Sequence, residues 1–135
     1  TLTGHLHTPG GMLHVSCFRP IKGKSKGRII VVKSATVTDL QAALVRGERV
    51  IDVREKHEYD RGHVPNALHI PMSIVPLRVQ DIKGERNSDP VWIICESGAR
   101  SWQVSEYLTR QGVSVINVDG GTSAWKASGL PVHGA

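Results

Sequence analysis

Four consecutive apolar residues, Val91-Trp92-Ile93-Ile94, run directly into Cys95, and a helical pattern follows from Ala99 to Arg110. A stretch that is apolar at every position needs cover on both faces, as a strand inside a parallel sheet has. The rest of the chain repeats that arrangement. Arg28 to Val32 reads as a strand, and Thr38 can cap a helix over Asp39 to Val45 that stops at Gly47. Arg49 to Val53 reads as a buried strand, Glu55 to Asp60 as a short helix and Ala67 to Ile70 as a short strand ending at Pro71. A helix over Ser73 to Val79 is interrupted by Pro76. Val113 to Val118 forms the last strand, and Thr122 to Ala127 the last helix, closed by Gly129. Strands and helices that alternate with short links predict an α/β fold: an open, mostly parallel sheet of about five strands with helices on both faces. In such sheets sites form at the carboxyl ends of strands, where Cys95 lies.

Residues 1–28 lack this periodicity. They are rich in Gly, His, Lys and Pro and read as a flexible basic, His-containing extension, linker or tag remnant, with residues 29–135 as the folded domain. The whole chain has 135 residues, 39% of them hydrophobic, enough for one domain with a real core. The net charge of +5 owes part to Lys22, Lys24, Lys26 and Arg28. No aromatic is interleaved with those residues, so nucleic-acid stacking is not indicated. No apolar run is long enough to span a bilayer. Cys17 and Cys95 form no disulfide framework and no Cys-x-x-Cys pair, which fits a reducing, cytoplasm-like compartment or an organelle matrix. A Cys17–Cys95 bridge and a relay role for Cys17 stay open. His5, His7, His14 and Cys17 are residue types that suit zinc, but their spacing matches no compact finger, and no metal site is expected.

Cys95 therefore carries the candidate chemistry. A helix N-terminus favours negative charge, and a tight loop can aim several N–H groups at one point. Gly98 eases the backbone angles that such a loop needs. The expected result is a reactive thiolate, with Arg100 adding fixed charge and a planar fork of donors. The bland alternative is a small buried hydrophobe.

The ordered motifs extend this reading. Asp52-Val53-Arg54-Glu55, Glu58-Tyr59, Gly62-His63-Val64-Pro65-Asn66-Ala67, Cys95 through Ser101, Asp119-Gly120-Gly121 with Ala124-Trp125, and Gly129-Leu130-Pro131-Val132 together resemble the rhodanese homology domain in its single-domain form. The resemblance runs from Val37 to Val132. It implies a sulfurtransferase. Cys95 would take a sulfane sulfur from thiosulfate or another persulfide donor and pass it to cyanide or a thiol, including a thioredoxin-like or other protein thiol. N–H groups of Glu96, Ser97, Gly98, Ala99, Arg100 and Ser101 would cradle the persulfide, and no metal or organic cofactor is required. Only four residues separate Cys95 from Arg100, one fewer than in related cell-cycle phosphatases, so the ring suits sulfur better than a phosphoryl group or arsenate. A non-catalytic binding or regulatory module on the same fold is the other alternative.

Glu96 is the unusual loop residue. A carboxylate ~6 Å from an incoming anion costs roughly 0.7 kcal/mol in water and about 2.8 kcal/mol at an effective dielectric of about 20. That weakens the case for thiosulfate as donor unless Glu96 points into solvent. Asp52 and Arg54 are expected to support the loop through hydrogen bonds or an ion pair. His63 is expected to be structural, its ring bonded to backbone near Pro65. Trp92 and Trp125 are read as core.

Overall fold

The computed structural model describes residues 17–21, 29–84 and 89–134. The elements, in order, are β1 (Cys17–Ile21), β2 (Ile30–Ala35), α1 (Val37–Val45), β3 (Arg49–Asp52), α2 (Lys56–Asp60) and β4 (Leu68–His69). A 3-10 helix (Met72–Leu77) then leads into α3 (Val79–Lys83), β5 (Val91–Ile94), α4 (Ala99–Arg110), β6 (Val115–Val118) and α5 (Gly121–Ala127). One sheet holds all six strands in the order β1-β2-β6-β5-β3-β4. Neighbours from β2 to β4 are parallel, and β1 pairs antiparallel with β2 at the edge. The strand β1 falls within the segment read as an extension, so the sheet has one strand more than the alternation alone foretells. Of the candidate metal set, His5, His7 and His14 lie outside the described residues, and Cys17 opens β1.

Strand β5 sits between β3 and β6, and all four of its residues are buried. Its side chains alternate between two cores. Trp92 and Ile94 join Leu40, Ala43, Val118 and Trp125 on the α1/α5 face. Val91 and Ile93 join Ile82, Val104 and Leu108 on the α3/α4 face. This two-sided cover is what the continuous apolar run requires. Both Trp92 and Trp125 are buried, and each indole N–H has a partner: the Glu48 carboxylate at 2.7 Å and the Pro131 carbonyl at 2.7 Å.

Three local readings change. Helix α1 is capped by Thr36, not Thr38. The Thr36 hydroxyl accepts from the Asp39 N–H while the Asp39 carboxylate accepts from the Thr36 N–H. This reciprocal pair satisfies two donors at once. The segment around Pro76 is a 3-10 helix, and a separate helix, α3, follows it. A short 3-10 turn accommodates a proline that an α-helix interior would not. Strand ends at Val53, Ala67, Ile70 and Val113 recede by one or two residues, within the ordinary play of such boundaries. Among the described residues no helix is long and apolar enough to cross a membrane.

Candidate active site

The carboxyl ends of β3, β5 and β6 converge on the loop from Cys95 to Gly98. Helix α5 fixes that loop from behind. The Thr122 N–H donates to the Cys95 carbonyl at 2.9 Å, and the Ser123 N–H to the Glu96 carbonyl at 3.0 Å. The Thr122 hydroxyl also reaches the Cys95 carbonyl, at 2.9 Å. Across a trans peptide, a carbonyl and the next N–H point in opposite directions. Turning the Glu96 carbonyl toward α5 therefore turns the Ser97 N–H to the other side, toward the sulfur. Gly121 makes this approach possible. Its φ is +59°, and a Cβ there would lie 2.6 Å from the Cys95 and Glu96 carbonyl oxygens.

Cys95 is a free, buried cysteine, 1% exposed. Its Sγ accepts from the Gly98 N–H at 3.1 Å and faces the Ser101 hydroxyl at 3.3 Å. Gly98 caps α4 with a φ of +107°, an angle that side chains other than glycine's resist. Burial pushes the Cys95 thiol up. The Ser101 hydroxyl, then the N–H groups of Ser101, Gly98 and Ser97, pull it down, and the net position is below the ordinary thiol value. The sulfur thus lies in the α3/α4 core and faces a set of donors that favour its anionic form.

The Ser101 hydroxyl belongs to a longer buried chain. Its oxygen lies 2.5 Å from Asn117 Oδ1, and the Asn117 amide donates to the Ser34 hydroxyl at 3.3 Å. One hydroxyl proton thus faces two acceptors, the sulfur and the amide oxygen. Asn117 and Ser34 were not among the residues expected from the sequence. The available signal was a lone amide in the otherwise apolar strand Val115-Ile116-Asn117-Val118.

Two arginines frame the loop. Arg54 is buried and donates to both Asp52 carboxylate oxygens, to the Gly62 carbonyl at 3.0 Å and to Glu96 at 3.0 Å. Burial lowers the Arg54 guanidinium, but its bonds to Asp52 and then Glu96 more than restore it. Glu96 also accepts from the Ser123 hydroxyl at 2.7 Å. The Ser123 bond, and after it Arg54, hold the Glu96 carboxyl below its usual range against burial. Glu96 is therefore neither loose in solvent nor an uncompensated charge. It ties the loop to β3 and α5. Arg100 makes a bidentate pair with Glu58 at 2.8 and 2.9 Å. Hydrogen bonding to Arg100 lowers Glu58 to about 2.

His63 sits away from the sulfur. Its Nδ1 bonds the Tyr59 carbonyl at 2.8 Å, not backbone near Pro65, and its ring stacks on Tyr59 at 3.6 Å. The reason is local: α2 presents the Tyr59 carbonyl one turn before His63, while Pro65 has no N–H to offer. The backbone of His63 also bridges to His133. The structure thus brings together Cys95, Gly98, Ser101, Arg54, Asp52 and Glu96, and leaves His63 in the packing of α2.

Comparison with known proteins agrees with this geometry. Residues 36–128 match the family model described as Rhodanese-like domain. The chain belongs to that family. A relative named sulfurtransferase from Allochromatium vinosum is 42% identical over 84 residues, which span 62% of this chain and 76% of that protein. Thiosulfate sulfurtransferase 16, chloroplastic, from Arabidopsis thaliana is 32% identical over 75% of this chain and 92% of its own length. Among solved structures, a rhodanese-related protein from Thermoplasma volcanium superposes with a TM-score of 0.65 at 28% identity, covering 76% of this chain and 98% of the other. In this chain Cys95 follows the central strand β5 directly.

Proposed function

We propose that this chain is a sulfurtransferase that carries a sulfane sulfur on Cys95. The observation that carries the reading is the cradle: a buried sulfur faced by the Gly98 N–H and the Ser101 hydroxyl, in a loop whose carbonyls are bonded outward to α5. A persulfide is one sulfur longer than the thiolate and equally anionic, and preorganised donors of this kind stabilise it without rearrangement. The Cys95 thiolate forms a new S–S bond with the outer sulfur of a donor. The donor's own S–S bond breaks, and sulfite or a thiolate leaves with that electron pair. Cyanide or a thiol then attacks the outer sulfur of the Cys95 persulfide. The Cys95 S–S bond breaks and the thiolate is restored.

Arg100 supplies charge from the rim, held there by Glu58, and Arg54 with Asp52 and Glu96 keeps the loop in shape. The four-residue gap between Cys95 and Arg100 weighs against phosphoryl chemistry. The catalytic unit in this reading is residues 29–135 with β1 added at the edge of the sheet, and a reducing compartment suits its free thiol. The partners are a small sulfur donor and a thiol acceptor, small or protein-borne. Replacing Cys95 with Ser is expected to abolish thiocyanate formation from cyanide and a donor. Turnover that persists in that variant contradicts the assignment.

A further inference from the structure

Ser34, Ser101 and Asn117 are all buried and come from three elements, β2, α4 and β6. Their hydrogen bonds form one chain that ends at the Cys95 sulfur. Asn117 is 1% exposed in a strand whose other three residues are valine or isoleucine. A buried amide costs free energy unless it is bonded, so packing alone does not call for one there. The direction of the chain is informative. Ser101 Oγ lies 2.5 Å from Asn117 Oδ1, so the single hydroxyl proton lies between the two oxygens. Asn117 Nδ2 then donates to Ser34 Oγ at 3.3 Å. With its proton so placed, Ser101 turns lone pairs toward the sulfur at 3.3 Å, which suits an S–H and repels a thiolate. Turning the amide over reverses every bond while the heavy atoms keep their places, because amide oxygen and nitrogen are close in size. Asn117 Nδ2 then donates to Ser101 Oγ, the Ser101 proton goes to Sγ, and the Ser34 hydroxyl donates to Oδ1. Each group is satisfied in both directions.

Building on the sulfur-transfer reading, we propose that Asn117 is a positioning residue for Cys95: its amide turns over as the thiol ionises and commits the Ser101 proton to the sulfur. In that step the S–H bond breaks, its electron pair stays on sulfur and the proton passes to water. No proton travels through the amide, which only rotates. The thiolate is the form that attacks a donor and the form restored when sulfur leaves, so the same reversal serves both ends of the cycle. The charged groups that frame the loop are Arg100 with Glu58, and Arg54 with Asp52 and Glu96; none is a member of this chain. From α5 the loop meets the uncharged Thr122 and Ser123.

The test follows alkylation by iodoacetamide against pH, read on the Cys95 peptide, in the full chain as wild type, N117L, S101A and the double variant. N117L should move the midpoint up and lower reactivity at neutral pH roughly threefold, less than S101A does, because the amide strengthens a bond to sulfur that it does not itself make. In the S101A background N117L should change nothing further. A shift by N117L that is as large without the Ser101 hydroxyl as with it overturns the proposal, as does no shift in either background. A second readout needs no substitution at Asn117. In NMR spectra of wild type the two Asn117 side-chain N–H resonances should titrate with the same midpoint as Cys95 alkylation, and in S101A they should stay flat. Resonances that stay flat in wild type overturn the proposal even where N117L fails to fold. A wild-type protein that loads sulfur from no donor overturns the sulfur-transfer reading alone, since alkylation and the amide resonances still decide on Asn117.

Discussion

The two arginines beside the loop look alike in sequence and differ in kind. The Arg54 side chain is 1% exposed and sits in a closed network with Asp52, which is fully buried. The Arg100 side chain is 36% exposed and has one partner, Glu58, at the rim. A buried charge must be matched on all sides, whereas a rim charge is screened by water and can move. Arg54 therefore belongs to the framework that shapes the loop, and Arg100 to the charged rim that, in the proposed reaction, an incoming sulfur would meet.

The sharpest way to break this contrast is to remove Arg54. Arg54→Met strands the Asp52 carboxylate in the interior, and the expected loss is about 3–5 kcal/mol of stability in chemical denaturation. A loss as small as that for Arg100 would erase the distinction. Gly121→Ala tests the framework from the other side. Its added methyl would meet the Cys95 and Glu96 carbonyls and should cost about 1–3 kcal/mol, with slower sulfur loading of Cys95. Ser101→Ala leaves both arginines in place and removes one donor to the sulfur. The midpoint of iodoacetamide reactivity with pH should move up, and reactivity at neutral pH should fall roughly tenfold, since hydrogen bonds to charged groups are the stronger kind.

Arg100→Gln should have the smallest effect on stability, under about 1 kcal/mol. Its signature is in the pH dependence. Glu58 is lowered from 4.5 to about 2 by Arg100, so its contribution is present above its unfolded value and fades as pH falls from about 4.5 through about 2. The gap in stability between wild type and Arg100→Gln should therefore close across that acid window. A gap that stays constant there would show that the pair does not stabilise the fold.

What the sequence conveyed follows the same division. The apolar run Val91 to Ile94 and the helix from Ala99 to Arg110 are local or periodic signals, and they appear as expected. The Cys95 loop was legible because its residues are contiguous. What was missed is what only the folded sheet brings together. Glu96 looked like a repulsive charge because Arg54 and Ser123, its partners at 3.0 and 2.7 Å, are distant in sequence. Asn117 on β6 meets Ser101 on α4, and Ser34 on β2 meets Asn117. The antiparallel strand Cys17–Ile21 carries no alternation strong enough to be read in a Gly- and Lys-rich context. Thr36 and Thr38 are both capping residues by type, and only the reciprocal bond with Asp39 decides between them.

If the cradle makes Cys95 a sulfur carrier, brief exposure to a persulfide donor or thiosulfate changes the mass of the intact protein. Mass spectrometry should find one added sulfur atom, located on Cys95, released by cyanide and absent from Cys95→Ser. A wild-type protein whose mass stays unchanged with every donor, or whose added sulfur survives the Cys95→Ser substitution, would contradict it.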